Sequence, residues 1–133
     1  MVLSSWFVEK DDIMGSSEKF NFEKLRVYQD ALGFSKQIYR ITKKFPKEEL
    51  FGLTSQFRRA ASSIPLNIAE GSGLTKTQFK DFLRRARGSV YECVTILFLA
   101  LDNDYISEEE QKKMYENCQK LAKSISALIN SMK

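Results

Sequence analysis

The chain has no histidine, two cysteines, two prolines, six glycines and a single tryptophan among its 133 residues. Each scarcity closes something off. Without histidine, neither a Ser-His-Asp nor a Cys-His nucleophilic arrangement can be assembled. Cys93 and Cys118 lack metal-type spacing, and no histidine could complete a zinc site with them. They read as reduced core thiols of a cytoplasmic protein. Few glycines and prolines argue against many short strands joined by turns. No uncharged apolar run reaches the roughly 18 residues that a membrane span needs. The opening stretch MVLSSWFVEKDD has too short an apolar core for a secretion signal. There is no phosphate-cradling glycine loop, since Gly71-Ser72-Gly73 reads as a helix end and turn, with Gly71 as the cap. Internal repeats and low-complexity segments are absent as well. The expectation is a non-enzymatic protein without metal, cofactor or membrane partner.

What remains is helical. With 43% hydrophobic and 29% charged residues, the chain is long enough to bury one core without staples. The first helix is expected over 22–45, with Asn21 as N-cap and the Phe45-Pro46 step as its stop. The second is expected over 53–71, with Thr54 or Ser55 near its start. The third, over 75–102, opens on a capping box from Thr75 to Gln78. The fourth, over 107–132, opens on another from Ser107 to Glu110, with three glutamates in its first turn to complement the helix dipole. Its stripe Met114, Cys118, Leu121, Ile125, Leu128 and Met132 alternates steps of four and three. Short connections make successive helices antiparallel neighbours. An all-α, up-down-up-down four-helix bundle over 20–133 follows. Residues 1–19 form an extension, read as flexible; docking of Trp6-Phe7-Val8 on the bundle is the alternative.

Apolar surface exceeds what a bundle core requires. Leu25, Tyr28, Leu32 and Tyr39 lie on one side of the first helix's apolar arc, and Val27, Phe34, Ile38, Ile41 and Phe45 on the other. Residues 94–101 are apolar all round. Such an excess marks a protein interface, so a homo-oligomer is expected; a thick monomer core around aromatic residues is the competing account. Charge is uneven too. The net charge is +4, yet residues 22–45 hold six basic side chains against two acidic, and residues 76–101 hold five against two. This points to a polyanionic partner, RNA or DNA, with ordinary solvated helix faces as the equally weighted account. Lys80, Arg84, Arg87 and Tyr91 follow one stripe of the third helix. Arg26, Lys36, Arg40, Lys43 and Lys44 share the arc of the first helix opposite its apolar side. Lysine and arginine neutralise phosphates without sequence preference, and Tyr91 offers a stacking platform.

Between Thr54 and Gly73 the chain reads TSQFRRAASSIPLNIAEGSG. A proline inside otherwise good helix costs about 3 kcal/mol, so something at Pro65 must justify it. Ser62, Ser63 and Asn67 are placed to satisfy backbone groups freed by a kink. Glu70 and Glu92, the acidic residues inside apolar helix stretches, could hold a metal or serve acid-base chemistry. Arg58 and Arg59 are available to neutralise them instead, giving a structural polar network.

This string, with FEKLRVYQDA before it, KKFPKEELFGLTSQ bridging the first two helices and FLRRARGSVYEC in the third, resembles the signature of the four-helix-bundle proteins encoded in intervening sequences of 23S ribosomal RNA genes. The accessory proteins of diversity-generating retroelements are similar bundles. The resemblance covers about 20–133. It implies a homopentameric ring, ribosome-associated, with RNA or a nucleic-acid enzyme such as a reverse transcriptase as partner, and it carries no settled activity. Members of that family usually begin near Phe22, so the first 19 residues depart from the pattern.

Overall fold

A computed structural model describes residues 6–8 and 19–132. Four α-helices run through them: α1 Arg26–Thr42, α2 Leu53–Ser72, α3 Lys76–Asp102 and α4 Glu108–Ser131. The helices pack in an up-down-up-down bundle. Contact is most extensive between α2 and α3, substantial for α3–α4 and α1–α2, and sparse between α1 and α4.

Local chemistry places most of the ends. Thr75 Oγ1 accepts from the Gln78 amide, and Gln78 Oε1 accepts from the Thr75 amide in return. Ser107 and Glu110 do the same at α4. Both boxes thus satisfy amides that a helix start leaves without partners.

The start of α1 differs from the expectation. Asn21 is no N-cap; it opens a 3-10 turn over Asn21–Lys24, and α1 begins only after Leu25. The cause is non-local. Leu25 is extended and buried, and it bridges antiparallel to Phe7 while the Val8 amide donates to the Lys24 carbonyl at 2.8 Å. Trp6 and Phe22 pack on the core beside it. Residues 6–8 therefore lie on the bundle. The flexibility expected of the extension otherwise concerns residues outside those described. At the other end α1 stops at Thr42, three residues early, because the chain turns so that Phe45 enters the core. There its ring lies 5.3 Å from Tyr105 and 6.4 Å from Phe57.

Gly71 is not a cap either. α2 runs on to Ser72 and is closed by Gly73. Gly71 is buried inside the helix, where a Cβ would stand 2.5 Å from Phe82 Cβ of α3. Its missing side chain serves a close approach of two helices rather than a left-handed turn. Pro65 is likewise buried within continuous helix. Ser62 donates to the Arg58 carbonyl, Ser63 to that of Ala60 and Asn67 to that of Ser63, each at 2.8 Å. None of the three reaches the Ala61 carbonyl, the group that Pro65 deprives of its N–H. They give neighbouring carbonyls an additional donor instead, and Ser63 also bonds the Ser89 hydroxyl on α3.

The core is built from Phe34 and Ile38 of α1, Phe57, Ile64 and Ile68 of α2, Leu83, Val90 and Leu97 of α3, and the α4 stripe from Met114 to Leu128. Cys93 and Cys118 are free thiols within it. Burial pushes Cys118 up to about 12, and carries Cys93 beyond the ordinary thiol range, with the nearby Cys118 and Glu92 adding to the effect. Neither thiolate forms readily in the native state, so both side chains are shielded by protonation as well as by packing. At pH 8, iodoacetamide should label them only as fast as the protein opens, whereas labelling in denaturant should be immediate. Equal rates in the two conditions would contradict the burial. The raised folded values also mean that this contribution to stability is complete below the ordinary thiol pKa and fades as pH climbs above about 9.

The two loops at one end of the bundle are tied together. Tyr105, after α3, donates its hydroxyl to Glu49 Oε2 at 2.7 Å, while Glu49 Oε1 accepts from the Leu53 amide at the start of α2. The bond from Tyr105 holds the Glu49 carboxyl below its usual range, and the Leu53 amide acts in the same direction. Among the described residues, no helix is long and apolar enough to cross a membrane.

Candidate nucleic-acid interface

The nine candidate contact residues fall into separate groups rather than one surface. On α3, Lys80, Arg84, Arg87 and Tyr91 follow the expected stripe, but two of its cations are engaged. Arg84 pairs with Asp81 one turn earlier at 2.8 Å, and half-buried Arg87 donates to Ser126 Oγ of α4 at 2.9 Å. Tyr91 is 56% exposed, and the exposed Phe98 and Leu99 lie further along the same helix. That half of α3 presents apolar surface more than free charge.

On the first helix the arc is divided as well. Arg26 turns to the N-terminal segment and donates to the Phe7 carbonyl at 3.2 Å. Lys44 is ion-paired with Glu110 and so ties α1 to the cap of α4. That pairing, followed by the Ser107 amide, holds the Glu110 carboxyl below its ordinary range. Lys36, Arg40 and Lys43 are different. They are exposed, make no ion pair among the described residues, and line a shallow depression with Leu32, Ser35 and Tyr39.

A second depression adjoins the first through Tyr39, which lines both. It brings in Leu50 and Phe51 from the loop and Arg58 and Arg59 from the start of α2. Arg58 is held in place. Its Nε donates to Thr42 Oγ1 at 2.8 Å, its Nη2 reaches the Tyr39 carbonyl at 3.4 Å, and its guanidinium lies 5.0 Å from the centre of the Tyr39 ring. A guanidinium over a phenol ring is favourable by about 0.5–1 kcal/mol where exposed. It also leaves most of the five N–H donors unspent.

Every charged side chain lining the two depressions is positive: Lys36, Arg40, Lys43, Arg58 and Arg59. Two aromatic rings stand among them. Tyr39 is 44% exposed and Phe51 is 94% exposed.

The expected polar network around helix two does not form. Glu70 and Glu92 are exposed, and neither pairs with Arg58 or Arg59. Arg58 and Glu70 are separated by twelve positions, which is about 18 Å along a helix. Burial therefore does not require these carboxylates to be neutralised, and Arg58 is anchored to Thr42 and Tyr39 instead. The role of Arg58 and Arg59 was open to a simpler argument. In an antiparallel pair, residues at similar distances from the connecting loop come near each other, and 39 lies three residues before the end of α1 while 58 lies five after the start of α2. Phe51 carried no such signal, because a loop phenylalanine reads as packed until its surroundings are known.

Comparison with known proteins agrees with this architecture. The model of the family described as 23S rRNA-intervening sequence protein matches residues 23–127. Among solved structures, a protein with unknown function from the S23 ribosomal protein family of Bacteroides thetaiotaomicron is similar, with 24% identity and a TM-score of 0.73. The alignment covers 78% of this chain and 95% of that one, and at this identity it speaks to the fold. No curated protein matches.

Proposed function

From a chain that belongs to the 23S rRNA-intervening sequence protein family, we propose a non-enzymatic bundle of the cytoplasm that associates with RNA through the basic face of α1 and α2. One observation carries the reading: five cations surround two exposed aromatic rings, with no carboxylate lining the surface. Lysine and arginine on such a face neutralise phosphates and release counterions, giving affinity that depends on salt. Supporting it, the family takes its description from a ribosomal RNA gene. Titrating a labelled single-stranded RNA from low to moderate salt tests the reading. Log affinity should fall by about 0.7 per phosphate contact for each tenfold rise in salt, up to roughly 3.5 for five contacts. Binding that is undetectable at low salt, or unaffected by salt, sinks it.

A second reading rests on the exposed apolar residues of α3, Tyr91, Phe98 and Leu99, with Leu66 of α2 also exposed. Surface of this kind suits contact between copies of the chain, or recruitment of a nucleic-acid enzyme. In a closed ring, pentameric in keeping with the resemblance, the basic face would be repeated by symmetry and its potential summed. A monomer mass by light scattering at micromolar concentration counts against self-association.

A further inference from the structure

We infer that the α1–α2 face is built for unpaired bases, so that its ligand is single-stranded RNA rather than duplex; this rests on the RNA-binding reading above. The charges alone would suit any polyanion. The rings do not. A duplex shows a protein its phosphates, sugars and base edges, while the faces of its bases are stacked on one another. An exposed aromatic ring finds a flat partner only where a base is free to leave the stack. Here Phe51 projects almost wholly into solvent, and Tyr39 sits at the junction of the two depressions.

The arrangement is orderly. Arg58 backs the Tyr39 ring and is anchored by Thr42, so the ring's surroundings are set before a ligand arrives. Lys36, Arg40 and Lys43 border the depression on one side of Tyr39, and Arg59 borders the one it shares with Phe51. Cations flanking successive stacking platforms are the pattern by which single strands are held, phosphates to the sides and bases on the rings. A ring on the loop and a ring on α1 are also attached to different elements, so two neighbouring bases could be received without a groove.

The test uses the full chain and one fluorescein-labelled, unstructured RNA of about 12 nucleotides, free or annealed to its complement. The single strand should bind about fivefold or more tightly than the duplex at the same salt. Tyr39→Leu and Phe51→Leu retain apolar bulk and remove the π face. Each should weaken single-strand binding about fivefold or more, and should lower the duplex affinity by a smaller factor. Phe51→Leu changes an exposed loop residue, so its result stands even if Tyr39→Leu disturbs α1. Equal affinity for both RNAs, with both leucine variants unchanged, overturns the base-stacking inference while the electrostatic reading survives. Absence of binding to either RNA overturns the RNA-binding reading and this inference with it.

Discussion

Gly71→Ala should destabilise the bundle by roughly 1–3 kcal/mol, and Gly71→Val by more. The sign is the informative part. In an ordinary helix interior, glycine to alanine is worth up to about 1 kcal/mol of added stability, because alanine has the better helix propensity. At position 71 the new methyl would lie 2.5 Å from Phe82 Cβ and 3.1 Å from Phe79 Cδ1. A Cβ cannot swing aside by changing rotamer, since the backbone fixes it. Relief requires α3 to move away from α2, where Leu83 and Ala86 are fully buried. Gly33→Ala and Gly88→Ala are the controls: beyond the adjoining residues and the helix's own backbone, nothing lies within 4 Å of a Cβ added at either. Both should leave the bundle as stable as before or more so. Urea midpoints of the three variants decide the matter, and a Gly71→Ala protein no less stable than its parent would refute the close approach.

Removing the charge of Lys36, Arg40 and Lys43 together by substitution with glutamine should nearly abolish RNA binding without unfolding the protein. Three lost phosphate contacts lower the salt slope by about 2, which at 50 mM salt corresponds to a loss of roughly several hundredfold in affinity. All three residues are exposed and unpaired among the described residues, so helix stability should change little. The matching triple on α3, Lys80→Gln, Arg84→Gln and Arg87→Gln, should cost less. Arg84 is already paired with Asp81, and Arg87 is bonded to Ser126. If the α3 triple proves the more damaging, the site belongs on α3.

How much of this was legible beforehand follows from how local each cause is. The caps of α3 and α4 were readable because a capping box is complete within four residues. The α4 core stripe was readable because its period is its own. The beginning of α1 was not, since it depends on Leu25 pairing with Phe7, eighteen positions away. Gly71 misled for a related reason. A glycine beside Ser72 and Gly73 looks like punctuation, and only the arrival of Phe82 from α3 shows it to be a packing residue. For the candidate face, the helical wheel put the basic residues of α1 and its C-terminal end toward solvent, and all five are exposed. It could not show that Arg26 and Lys44 were already committed, nor that α2 would add Arg58 and Arg59 beside Tyr39.

The sparse contact between α1 and α4 has a consequence for motion. α2 and α3 are each clasped on two sides, whereas α1 leans mainly on α2, with Lys44–Glu110 and Gln37–Asn117 bridging its other flank. The cheapest partial opening of such a bundle is the lifting of α1, and its amides should exchange with solvent ahead of those in α2 and α3. Two of the five cations ride on that helix, a third sits at its C-cap, and two are on the neighbour from which it would lift. A strand gripping both would act as a suture across the seam, and occupancy would be written in slower hydrogen exchange along α1.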